Sequence, residues 1–93
     1  MQILQTNIFK KAVKKLHANQ EFCLDNAIKA LLINPLLGDE KVGDLSSIRV
    51  YKFRMLECLT LLAYQYNEPE SSIMLLALGS HENFYHDLKT HIN

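Results

Sequence analysis

No stretch of this chain approaches the roughly 20 apolar residues that a helix needs to cross a bilayer, so no membrane span is expected. Met1–Ile8 is short and uncharged, and it lacks both an apolar run and a cleavage pattern, which argues against a secretory leader. Cysteine is scarce. Cys23 and Cys58 have no metal-ligand spacing and sit in apolar stretches, so they are expected to be reduced, buried thiols of a cytoplasmic protein. Net charge is missing too: ten basic side chains balance ten acidic ones, and the isoelectric point lies near 6.9. The charge of the whole molecule therefore gives no reason to expect nucleic-acid binding. There is no internal repeat, phosphate-loop glycine pattern, nucleophile elbow or pair of catalytic carboxylates. These absences remove P-loop and serine-elbow chemistry from consideration.

What is present is a core. Apolar residues make up 48% of the 93, enough for one packed domain spanning 1–93 and too many for a disordered chain. Met1–Gln5 reads as a short extended piece, suited to a sheet edge. Thr6 or Asn7 can cap the next element, where Ile8, Phe9, Ala12, Val13 and Leu16 recur at helical spacing. The opposite arc carries Lys10, Lys11, Lys14 and Lys15, four of the ten basic residues. His17-Ala18-Asn19 is expected to end this helix, with His17 complementing its dipole. A second helix over about 20–33 presents Leu24, Ala27, Ile28, Leu31 and Leu32, and Asn34-Pro35 stops it. Residues 35–46 read as a loop, long enough to suggest a function. Three strands follow, Ser47–Arg54, Glu57–Tyr66 and Ser71–Leu78, joined by short connections that make the sheet antiparallel. A last helix starts near Ser80, with Phe84, Leu88 and Ile92 on its inner stripe. The fold class is α+β: an N-terminal helical hairpin packed on a mainly antiparallel sheet, with a short C-terminal helix.

Two places concentrate chemically interesting side chains. Alternation along the first strand of the trio puts Lys52 and Arg54 on one face and Arg49, Tyr51 and Phe53 on the other. Two neighbouring cations repel unless an anion sits between them, and a phosphate meets that need. A solvated strand face accounts for the same pair. The second place is Gly79-Ser80-His81-Glu82-Asn83-Phe84-Tyr85. Free N–H groups at a helix start attract anions, His81 has a proton-transfer range suited to neutral pH, and Tyr85 follows one turn later. A capped helix with a surface histidine fits this stretch equally well. Zinc is not expected: the histidine after His81-Glu82 is His86, about 140° round a helix from His81, where the zinc-protease pattern needs both on one face. The lysine face of the first helix suits RNA, an acidic partner or plain solvation.

Taken together, these residues resemble the RelE/ParE superfamily of bacterial type II toxins over nearly the whole chain. The resemblance rests on Phe9-Lys10-Lys11-Ala12-Val13-Lys14-Lys15-Leu16, then Asn34-Pro35, Gly43-Asp44-Leu45, Arg49-Val50-Tyr51 and Leu62-Ala63-Tyr64-Gln65. Gly79-Ser80-His81-x-x-x-Tyr85 is similar to the ending of the YafQ-like branch. The resemblance implies the fold above and a cognate antitoxin that wraps the toxin. It also implies one of two activities. RelE-like members cut messenger RNA in the ribosomal A site, using the RNA's own 2′-hydroxyl and no metal; ParE-like members poison DNA gyrase. On the nuclease side it implies that Lys52 and Arg54 hold the scissile phosphate, His81 protonates the leaving 5′ oxygen and Tyr85 stacks on or orients a base. Arg49 and the four lysines would be supporting RNA contacts; no general base stands out unless Lys52, Glu82 or His86 serves. Leu61 stands where a RelE-like enzyme has a further arginine, so one transition-state cation fewer is implied.

Overall fold

Thr6 is where the first strand gives way to the first helix. Its backbone is extended (φ −78°, ψ 163°), and its hydroxyl accepts the N–H of Phe9 while donating to the Leu76 carbonyl at 2.7 Å. One side chain thus satisfies an orphan helix donor and ties the helix start to a strand 70 residues later.

The computed structural model describes residues 1–41, 47–80 and 84. These form β1 (Gln2–Gln5), α1 (Asn7–Lys14), α2 (Ala18–Ile33), β2 (Asp39–Glu40), β3 (Arg49–Met55), β4 (Cys58–Asn67) and β5 (Ser72–Ser80). No helix among the described residues is long and apolar enough to cross a membrane. In α1, Phe9 points inward while all four lysines of the helix and its end are exposed. His17 does not close this helix as expected; it precedes α2. Its N–H donates to Gln20 Oε1 at 2.8 Å, so the side chain at the third position of α2 reaches back to satisfy it. The helix then runs to Ile33 and stops before Pro35, as the pre-proline restriction requires.

Among the described residues the sheet has five strands in the order β1-β5-β4-β3-β2. The three expected strands are its centre, with β4 in the middle. The expected edge piece is β1, and it lies parallel to β5, with Ile3 opposite Ile73. The stretch expected as loop contributes β2, whose Asp39 and Glu40 pair with Val50 and Arg49. Ser80 ends β5, paired with Thr60.

Both sheet faces carry core. On one, Phe9 of α1 and Leu24 and Leu31 of α2 pack on Leu62, Tyr64, Ile73 and Leu75. On the other, Ile48, Val50, Leu61 and Ala63 pack with Phe84. This double burial explains why Leu61 through Tyr64 are apolar without alternation. Each fully buried Leu here contributes about 1.5–3 kcal/mol. The expectation of two buried thiols is not met: Cys23 is half-buried and Cys58 is exposed. Cys58 pairs with Met55 at the mouth of the two-residue β3–β4 hairpin, at the rim of the sheet. In that turn Leu56 has φ 61°, a value that type II′ hairpins usually give to glycine and that costs a leucine about 1–3 kcal/mol.

Candidate functional site

The site is built on β3. Lys52 and Arg54 are exposed on the sheet face opposite the helices, while Tyr51 and Phe53 turn toward the helices with ring centroids 6.0 Å apart. Strand alternation thus puts the two cations side by side, as expected from their spacing. The register gives them their neighbours: Lys52 lies opposite Leu61, and Arg54 opposite Leu59. Arg54 Nη1 also donates to the Glu57 carbonyl at 3.3 Å, which holds it over the hairpin turn.

Going inward from Lys52 on the same face, the next residues are Leu61 and then Gly79, its partner on β5. Leu61 has no exposed surface. A Cβ on Gly79 would lie 3.2 Å from Phe84 Cδ1, so the bare glycine backbone makes room for the Phe84 ring. The result is an apolar floor of Leu61, Gly79 and Phe84 with Lys52 at its edge. Sequence alone assigns Gly79 to a strand end and Phe84 to a helix stripe; that the two meet beside Leu61 depends on the β4–β5 register. His81 and Tyr85, together with Glu82 and His86, lie outside the described residues.

The other expected contacts are placed elsewhere. Arg49 lies on the helix-bearing face, away from Lys52 and Arg54. Its Nη1 donates to the Gly38 carbonyl at 2.9 Å and more weakly to that of Leu36 at 3.4 Å, with Glu40 3.9 Å from Nη2. Its cross-strand partner Tyr64 pins the same loop. The Tyr64 hydroxyl donates to the Pro35 carbonyl at 2.6 Å and accepts the Gly38 N–H at 2.9 Å. Residues 34–40 are therefore held by one arginine and one tyrosine standing side by side. Lys10, Lys11, Lys14 and Lys15 lie on the outer side of α1, across the sheet from the β3 pair. Lys15 also lines a groove of about 400 Å³ that reaches Gly79 and Ser80.

Burial raises the Tyr64 pKa above the ordinary value of 10.0, opposed in part by the Gly38 N–H and the Arg49 charge. In the unfolded chain the phenol ionises near 10, while in the folded chain it keeps its proton to higher pH. The stability that this difference contributes is complete below pH 10 and is lost as pH rises through the folded value. Denaturant midpoints measured across the alkaline range should fall more steeply for the native protein than for Tyr64→Phe. Parallel curves for the two would show that this hydroxyl does not carry the effect.

A family model described as the ParE-like toxin of type II bacterial toxin–antitoxin systems matches residues 3–89. No curated protein sequence matches the chain. Among solved structures, a mutant of Escherichia coli toxin RelE in the free state is 17% identical with a TM-score of 0.75, over 99% of this chain and 97% of that one. RelE in the intact E. coli RelBE toxin–antitoxin complex is also 17% identical, with a TM-score of 0.71 over 87% and 96%. A YoeB/ParE toxin from Agrobacterium tumefaciens is 14% identical, with a TM-score of 0.68 over 87% and 99%. At these identities the structures show a shared fold.

Proposed function

The chain belongs to the ParE-like toxins of type II bacterial toxin–antitoxin systems, and from that premise we propose that it is a metal-independent endoribonuclease that cuts messenger RNA on the ribosome, in the cytoplasm, and is neutralised by a cognate antitoxin. The observation that carries this reading is the pair Lys52 and Arg54, exposed on one face beside the floor on which Phe84 sits. Two cations at that spacing suit a phosphate whose charge increases in the transition state. Phe84 packs on this face, and His81 and Tyr85 are its neighbours in sequence. In the proposed reaction the 2′-hydroxyl of the RNA gives its proton to a base, for which Lys52, Glu82 and His86 are the candidates, as its oxygen attacks the adjacent phosphorus. The bond to the 5′ oxygen breaks, and His81 delivers the proton which that oxygen takes up. Tyr85 orients a base by stacking. The products are a 2′,3′-cyclic phosphate and a 5′-hydroxyl.

Cleaved messages mapped in a translating extract test this reading. His81→Ala should slow cleavage by about 10²–10⁴-fold, the ordinary contribution of a positioned acid, and Tyr85→Ala should slow it less. Full cleavage by both variants would mean that the reacting groups lie elsewhere.

One observation favours a second reading, inhibition of DNA gyrase by binding alone. Leu61, in the position of a third cation, is wholly buried in apolar contacts. A supercoiling assay separates the two, since a nuclease leaves gyrase untouched at excess protein.

A further inference from the structure

The two helices differ on their outer sides. α1 turns lysines outward, the usual arrangement for a helix lying on a sheet. α2 buries Leu24, Ala27 and Leu31 against the sheet, yet it carries large apolar side chains on the opposite side as well. Phe22 is 67% exposed and Ile33 is 87% exposed. Leu32, expected on the inner stripe, is 36% exposed. At about 100° per residue, Phe22, Asp25, Lys29 and Leu32 fall in one row along the helix, with Ile33 beside Leu32. Steps of three and four residues are those of a coiled-coil seam, and this row spans about 15 Å. Its middle is charged. Asp25 and Lys29 are both exposed, and among the described residues neither is in an ion pair within its own chain.

The row is complementary to itself. Phe22 and Leu32 stand at equal distances on either side of residue 27, and so do Asp25 and Lys29. We infer that this outer row of α2 is a homodimer interface, in which α2 packs antiparallel on α2 of a second copy about a twofold axis at the level of residue 27. Phe22 of each copy then meets Leu32 of the other, with Ile33 alongside, and Asp25 of each meets Lys29 of the other. The twofold axis makes every contact reciprocal. A parallel pair in register would set Asp25 on Asp25 and Lys29 on Lys29, so charge selects the antiparallel arrangement. A lipid surface fits poorly, because two charges interrupt the apolar row at its centre. A single helix pair falls below the roughly 1,200 Å² of a standard interface, which makes the dimer weak and reversible. The helices cover one face of the sheet, and Lys52 and Arg54 stand on the other. The dimer is therefore layered sheet, helix, helix, sheet, and both cationic faces stay outward and open. The contact is independent of the reaction those faces perform.

Sedimentation velocity of the full-length protein at low salt, from micromolar to millimolar concentration, tests this contact. The monomer should pass reversibly into a dimer. Phe22→Glu should raise the dissociation constant at least tenfold and leave the thermal midpoint unchanged, because the side chain is exposed. Asp25→Lys and Lys29→Asp should each weaken the dimer, since each sets like charges opposite one another. The variant that carries both exchanges should dimerise as the native protein does. The two single variants, each monomeric alone, should form a one-to-one dimer when mixed, a result that damage to the fold cannot imitate. A chain that stays monomeric at millimolar concentration overturns the inference and gives the row to a different protein. A dimer that Phe22→Glu leaves intact overturns it too, as do single variants that fail to rescue each other.

Discussion

Gly38→Ala should lower the midpoint of thermal unfolding by roughly 10 °C, a loss of about 2 kcal/mol in a domain of this size. The cause is steric and local. A Cβ at residue 38 would lie 2.7 Å from Tyr64 Cε1 and 2.8 Å from its hydroxyl oxygen. The ring has no room to retreat. It is fully buried, its hydroxyl is fixed by the Pro35 carbonyl and the Gly38 N–H, and its strand neighbour Arg49 bonds the Gly38 carbonyl. Either the ring leaves a close-packed core or the loop moves and gives up those hydrogen bonds, and each route costs on the order of 1–3 kcal/mol. A double-mutant cycle isolates the clash. Tyr64→Ala is itself destabilising, but adding Gly38→Ala to it should cost well under 1 kcal/mol, because the obstructing ring is gone. Additive losses in the cycle would place the cost in the backbone of residue 38.

This loop also shows where reading the sequence reaches its limit. Pro35 and Gly38 mark residues 35–46 as irregular, which holds for 35–38 and 41 among the described residues. Nothing local says that Tyr64, 26 residues after Gly38, closes over it. The two-residue β2 carries too little pattern to register as a strand, and it exists because Asp39 and Glu40 lie alongside β3. The pairing of β1 with β5 is equally silent, since a four-residue strand gives no sign of a parallel partner at the far end of the chain. The three central strands were legible because each is an apolar run bounded by turn residues. Position β4 was legible because a strand buried on both faces cannot alternate. His17 is ambiguous for a different reason: the interval between α1 and α2 is so short that one residue can be read as the end of the first helix or the cap of the second. Gln20 decides it by reaching back to the His17 N–H. At the candidate site, spacing alone put Lys52 and Arg54 on a common face, because the period of two is a property of any strand. That Leu61 is the direct neighbour of Lys52, and lies beneath Phe84, required the register of both hairpins.

The register also makes the largest functional effect predictable. With Leu61 wholly buried beside Lys52, Lys52 and Arg54 supply the strand-borne positive charge of this face among the described residues. Under the nuclease reading, loss of one preorganised donor to the transition state costs about 10²–10³ in rate. Lys52→Ala and Arg54→Ala should each slow message cleavage by that order, and the double variant by about 10⁴-fold or more. Stability should change little, because both side chains are exposed and the one hydrogen bond lost, from Arg54 to the Glu57 carbonyl, lies at the surface. Lys52→Arg, which keeps the charge, should retain most of the rate. Binding to a single-stranded RNA gives an independent measure: each phosphate contact removed should reduce the slope of log K against log salt by about 0.7. A double variant that cleaves like the native protein removes phosphate from this face. A native protein that cuts no message and instead inhibits supercoiling would be a toxin that binds gyrase and has no nuclease activity.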